Sequence, residues 1–106
     1  MKRDHHREYV RNRMKRSPAF RRAYRRTLHA VDLAILVAQM REAAGYSQAQ
    51  LAARIDTVQP VIARLENAEY EGHSLRMLGK IAAACGVTLK LRAQKKPGLE
   101  LEVALV

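Results

Sequence analysis

The chain has 106 residues, enough for one domain with a modest core and, at most, a tail. It has no run of about 18 or more apolar residues, which excludes a membrane-spanning helix. A single cysteine, Cys85, rules out an internal disulfide, and the charged first residues lack the apolar stretch of a secretory signal, so a cytoplasmic location is the simplest expectation.

The formal charge of +10 is concentrated at one end. Residues 1–26 hold eleven Lys/Arg against Asp4 and Glu8, a net +9, while the other eighty residues are close to neutral. A block like this attracts polyanions, nucleic acid first and an anionic membrane surface second; the plainer alternative is a solvated arm with no fixed partner. Residues 4–16 have weak apolar spacing (Tyr9, Val10 and Met14), consistent with a frayed helix or none. Ser17-Pro18 then reads as a helix start, serine as N-cap and proline at the first helical position. Phe20, Tyr24, Leu28 and Val31 follow on one stripe of that helix.

Asp32 either caps a new helix or lies within a continuing one. Beyond it Leu33, Leu36, Val37, Met40 and Ala44 form a core-facing helical stripe, stopped by Gly45. Ser47 caps a short helix from Gln48 to Ile55 with Leu51, Ala52 and Ile55 inward. A tight turn at Asp56-Thr57 leads to a second short helix, Val58 to Asn67, with Ile62 and Leu65 inward. Ser74 caps the next helix, where Leu75, Leu78, Ile81, Ala82 and Cys85 share a face and Gly86 ends it. Cys85 reads as a small core residue. The period then changes. Thr88 to Ala93 alternates, Lys95-Lys96-Pro97-Gly98 is turn chemistry, and Leu99 to Val103 alternates again, which predicts a β-hairpin. Three parts result: a basic N-terminal helical arm over 1–30, a helical domain over 31–86 and the hairpin over 87–106.

The two short helices form a helix-turn-helix. Two amphipathic helices at a fixed angle let the second enter the major groove, which is wide enough for one helix. Its outward residues are Val58, Gln59, Pro60, Val61, Ala63 and Arg64. The string GYSQAQLAARIDTVQPVIARLENAEY resembles the helix-turn-helix of the phage-repressor (Xre/Cro-like) family. With SPAFRRAY before it and SLRMLGKIAAACGVTLKL after it, the pattern is similar to HigA-type antitoxins, the DNA-binding partners of small ribonuclease toxins. The resemblance covers residues 17–93 and implies a mainly α, lambda-repressor-like domain.

It also implies roles. Gln48 would bond a phosphate through its side chain and its helix N-terminus. Gln59 would read a base edge, adenine being its best bidentate partner, and Arg64, one turn further on the same face, would reach guanine or a phosphate. Val58, Pro60 and Val61 would touch thymine methyls, and Asn67 would hold a second phosphate. Arg41 and Glu66 match positions that form a buried ion pair in the family. Two departures stand out. Asp56 occupies a turn position where glycine is common, which points to a positive φ that aspartate tolerates better than most residues. Pro60 replaces a polar base-reader at small cost to the helix.

The histidines at 5, 6, 29 and 73 lack metal-ligand spacing. Neither a nucleophile–base pair nor a Gly-rich phosphate loop is present, so no metal, cofactor or catalytic residue is expected. The expected function is a sequence-specific repressor binding double-stranded operator DNA as a homodimer, with no membrane partner. Within that, one reading is an antitoxin with a ribonuclease toxin as partner; the other is a stand-alone regulator or nucleic-acid-binding module. The open hairpin edge and apolar face suit pairing with a twin, which would set two recognition helices about 34 Å apart on a palindromic site.

Overall fold

The computed structural model describes residues 17–106, so the arm expected over 1–16 lies outside the described residues. The elements are α1 (Pro18–Ala43), α2 (Gln48–Arg54), α3 (Gln59–Leu65), α4 (Leu75–Ala84), β1 (Lys90–Lys95) and β2 (Leu99–Ala104). The architecture is mainly α, a helix-turn-helix within a helical domain, followed by a two-stranded antiparallel hairpin. That is the expected fold class.

α1 starts as its sequence dictates: the Ser17 hydroxyl accepts from the Phe20 amide at 3.1 Å, and Pro18 occupies the first turn. It then passes through Asp32 without a break, which decides between the two alternatives for that residue. The junction expected after residue 30 therefore falls inside one continuous helix. No described side chain from Pro18 to His29 is buried, and burial begins at Ala30. The buried line runs Ala30, Ala34, Val37 and Met40, with Leu33 and Leu36 half-buried beside it. The stripe is thus rotated toward the alanines, and the larger leucines flank the core.

Three helices end in the same hydrogen-bonded pattern, in which the amide two residues past the cap returns to the third-last helical carbonyl. The bonds are Tyr46 N–H to Arg41 O at 3.2 Å, Thr57 N–H to Ala52 O at 2.9 Å and Val87 N–H to Ala82 O at 2.9 Å. Each needs a left-handed residue just after the cap. Gly45 (φ 76) and Gly86 (φ 67) supply two of them, and Asp56 (φ 57) supplies the third. The helix-turn-helix turn is therefore a helix-stop motif built with aspartate where glycine would be unstrained.

The core joins all four helices: Val37 and Met40 from α1, Leu51 and Ala52 from α2, Ile62 and Leu65 from α3, and Leu78, Ile81 and Ala82 from α4. Cys85 is the cap residue of α4 and only half-buried against this cluster, so it lies at the core's edge. Burial pushes its thiol pKa up, while the nearby Arg41 charge opposes the shift. The helices begin and end one or two residues inside the expected bounds: α2 stops at Arg54 with Ile55 as cap, and α3 spans 59–65 with Val58 and Glu66 as caps.

The hairpin stands off from this core. Its register pairs Leu91 with Val103, Ala93 with Leu101 and Lys95 with Leu99 on one face. On the other face Arg92 opposes Glu102 and Gln94 opposes Glu100, with diagonal ion pairs Lys90–Glu102 and Arg92–Glu100. Every strand position is exposed. Only the base is anchored: Leu89 packs on the core, and the Leu105 amide donates to the Leu89 carbonyl at 2.7 Å.

Candidate nucleic-acid interface

α2 and α3 are short, and neither would persist alone in water. Their stability comes from packing and caps. The Ser47 hydroxyl accepts from the Gln50 amide at 3.0 Å, and the Gln50 side chain accepts from the Ser47 amide at 2.8 Å, a complete capping box at the start of α2. Leu51 and Ile62, both without solvent exposure, press the two helices together. The far end of α3 is closed by His73, whose Nε2 lies 2.6 Å from the Leu65 carbonyl and donates to this helix-end acceptor. Tyr70 supports the same loop by an edge-on contact with the His73 ring and a hydroxyl bond to the Gly72 carbonyl.

Helical geometry then sorts the residues of α3. At about 100° per residue, Gln59, Ala63, Pro60 and Arg64 span the outer arc, while Leu65 and Ile62 lie opposite. Gln59, Pro60 and Arg64 are exposed, as are Val58 before the helix and Asn67 beyond it. Gln59 and Arg64 differ by roughly 140° about the axis, so they bound the outward face and do not share one line along it. The expectation that they lie one above the other is corrected by their spacing of five. Val61 also departs from expectation: it sits at the margin of the inward arc, half-buried against the core. Ala63, absent from the expected contacts, occupies the middle of the outward arc, where its small side chain leaves room for a close approach.

Behind this face runs a chain of polar contacts. The Arg41 guanidinium from α1 donates from Nε to Glu66 Oε2 at 2.7 Å, from Nη2 to Glu66 Oε1 at 3.0 Å and from Nη1 to the Tyr46 carbonyl at 2.8 Å. Side-chain exposure is 15% for Arg41 and 9% for Glu66, so the pair is largely shielded. The Glu66 bond raises the Arg41 pKa above its ordinary value against the opposing effect of burial. This is the ion pair the family resemblance implied. The chain then continues further than that resemblance indicated. Gln48 Nε2 donates to Glu66 Oε1 at 3.2 Å, and Gln59 Nε2 donates to Gln48 Oε1 at 2.8 Å. Gln48 is therefore held between Glu66 and Gln59, with one N–H and one lone pair left for another partner. Asn67 is likewise partly committed, since its Oδ1 accepts from the Glu69 amide at 2.8 Å and its NH₂ remains available.

The Arg41–Glu66 pair ties α1 to the end of α3, and Gln48 ties α2 to the same carboxylate, so the two short helices are held at a fixed angle with Gln59, Pro60 and Arg64 facing outward, as in a helix-turn-helix. A sequence profile of the family described as helix-turn-helix domain matches residues 32–94. The chain belongs to the helix-turn-helix domain family. Comparison with curated proteins and with solved structures yields no match. In this helix-turn-helix protein the matched region takes in the second part of α1, from Asp32 onward, all of α2, α3 and α4, and β1 as far as Gln94, consistent with a DNA-binding regulator. No helix among the described residues is long and apolar enough to cross a membrane. No group of three or more His, Cys, Asp or Glu comes together there.

Proposed function

We propose that this protein is a sequence-specific transcriptional repressor that binds double-stranded operator DNA as a homodimer, with α3 in the major groove. The observation that carries the reading is the exposed arc of α3, where Gln59, at one margin, is pre-oriented by Gln48 and Glu66. A held amide loses little freedom on binding a base edge. Gln59 reads a base, Arg64 reaches guanine or phosphate, and Val58 and Pro60 offer apolar contact, with Val61 contributing only its exposed margin. Gln48 and Asn67 use their remaining N–H groups on phosphates.

The hairpin supplies the dimer contact. Its apolar face (Leu91, Leu99, Leu101 and Val103) is uncovered, and an exposed apolar patch of this kind marks an interaction surface. Edge-to-edge pairing about a two-fold axis would set basic β1 against basic β1, or acidic β2 against acidic β2. Face-to-face packing of two copies buries the leucines and leaves the paired charges in water. One titration against DNA from upstream of the chain's own gene, at several salt concentrations, tests both points. Gln59→Ala and Arg64→Ala are expected to lose about 1–3 kcal/mol of preference for the specific site each, retaining weak salt-sensitive binding. Leu101→Asp is expected to run as a monomer and to lose the dimer's affinity. Variants that bind like the wild type would exclude α3 as the reader, and a dimeric Leu101→Asp would exclude the hairpin.

The resemblance to HigA-type antitoxins extends the proposal to a ribonuclease toxin as partner. The first half of α1 suits this role, because it carries Phe20 stacked on Tyr24 and an exposed Leu28 outside the core. Co-expression with the product of the neighbouring gene is expected to yield a stable complex that Tyr24→Asp weakens. A neighbour that neither binds nor cleaves RNA leaves the stand-alone repressor as the function.

A further inference from the structure

We propose that the outer face of α1 is a second self-association surface, on which two copies of the chain pair their α1 helices antiparallel. The contact is separate from the hairpin contact and does not rest on it.

The apolar stripe of the first half of α1 does not stop where burial begins. Tyr24, Leu28, Val31, Ile35 and Ala38 follow one another at spacings of four, three, four and three, a heptad seam along the helix. At about 100° per residue the seam lies roughly 130° round the axis from the buried line of Ala30, Ala34, Val37 and Met40. One helix therefore carries two apolar faces. None of the five seam residues belongs to the core cluster or packs on it, and Leu28 and Ile35 are 41% and 48% exposed. A helix that served a single core would be polar on this side.

Charge decides what covers the seam, because it is complementary to itself in one arrangement. Set antiparallel about a two-fold axis, Tyr24 meets Ile35 of the second copy and Leu28 meets Val31 of the second copy, each contact occurring twice. That register brings Arg25, on the solvent side of the seam, against Asp32 of the second copy, again twice. Among the described residues neither Arg25 nor Asp32 has an ion pair within the chain. Sliding one helix by a heptad either way sets Asp32 against Asp32, or Arg25 against Arg25. Parallel pairing stacks Arg21 on Arg21 and gathers the arginines at 21, 22, 25 and 26 of both copies at one end. In the antiparallel pair the two starts of α1 lie roughly 35 Å apart, well beyond the screening distance of about 8 Å at physiological salt.

Four apolar layers place the contact at the small end of specific interfaces, below about 1,200 Å². It is weak between free chains and takes effect where they are tethered side by side. Two hairpin dimers on neighbouring DNA sites are such a case, a consequence that does rest on the reading of α3. A protein docked on the first half of α1, as proposed for the toxin, would cover Tyr24 and exclude the second copy.

The experiment is sedimentation equilibrium of the full chain carrying Leu101→Asp, which removes the hairpin contact, at concentrations up to about 1 mM, where contacts of this size form. The mean mass is expected to rise from monomer toward dimer. Adding Ile35→Glu, at an exposed position, is expected to hold the chain at monomer. Adding Arg25→Asp removes two ion pairs and creates two like-charge contacts, and is expected to weaken association about tenfold. Arg25→Asp together with Asp32→Arg restores both pairs, and is expected to return association to within about threefold of the starting protein. Thermal unfolding of each variant accompanies the series, and should Ile35→Glu fail to fold, the charge exchange decides. Association that Ile35→Glu does not reduce, or a double variant no better than Arg25→Asp alone, overturns the inference. A chain that stays monomeric at the highest concentration also overturns it and leaves the seam to another partner. An Ile35-dependent dimer in a chain that binds no DNA site removes the reading of α3 and leaves the contact standing.

Discussion

Replacing Glu66 with alanine lowers the free energy of unfolding by about 3 kcal/mol, because it leaves a shielded guanidinium with only the exposed Glu42 carboxylate, at 3.8 Å, as counter-charge. Arg41 keeps its proton at any accessible pH, so it cannot escape by neutralising. At 15% side-chain exposure it also has little water to replace the two bonds from Glu66. For a domain of this size such a loss corresponds to a melting-point drop of roughly 12 °C or more. The shielded position is what makes the effect large, since an exposed pair such as Lys90–Glu102 on the hairpin is worth at most about 1 kcal/mol. A double replacement, Arg41→Leu with Glu66→Leu, is expected to be less damaging than Glu66→Ala, since no lone charge remains. Urea titrations of the three proteins check this. A Glu66→Ala protein as stable as the wild type would mean that water reaches Arg41 freely.

Ile62→Ala is expected to cost about 2–5 kcal/mol, the range for truncating a fully buried aliphatic side chain. Ile62 has no exposure and belongs to the cluster formed with Val37, Leu51 and Ile81, one residue from each helix. A cavity there cannot be closed by moving one helix without opening a gap at another, which places the cost in the upper part of the range. Domains of this size have total stabilities of about 5–10 kcal/mol, so the variant is expected to be partly unfolded near its growth temperature. Val58→Ala, one turn away but 61% exposed, is expected to change stability by less than about 0.5 kcal/mol. Equal losses for the two would place Ile62 outside the core.

The sequence by itself determined the local architecture, because its signals are local. Ser17, Ser47 and Ser74 are N-caps in both the sequence and the structure, and Gly45 and Gly86 stop helices because each takes a positive φ. The need for a left-handed residue at Asp56 was visible for the same reason. The hairpin followed from a change of period and one turn. The helix-turn-helix string was also legible, since two short helices packed on one core impose spacing on their inward residues Leu51, Ala52, Ile62 and Leu65. Tertiary structure decided what depends on neighbours distant in the chain. The continuity of α1 through Asp32 reflects packing of Ala30, Ala34 and Val37, which overrides a possible cap. The shift of Val61 toward the core follows from how α3 is rotated on α2. The exposure of the whole hairpin has the same origin, because nothing local says whether helices will cover a sheet face. Most of all, the link from Arg41 through Glu66 and Gln48 to Gln59 joins residues from four places in the chain, through bonds 25, 18 and 11 residues apart in sequence. Spacing along a sequence carries no hydrogen-bond polarity; only the fold brings the Glu66 carboxylate against the Gln48 amide, and the Gln48 carbonyl against the Gln59 amide.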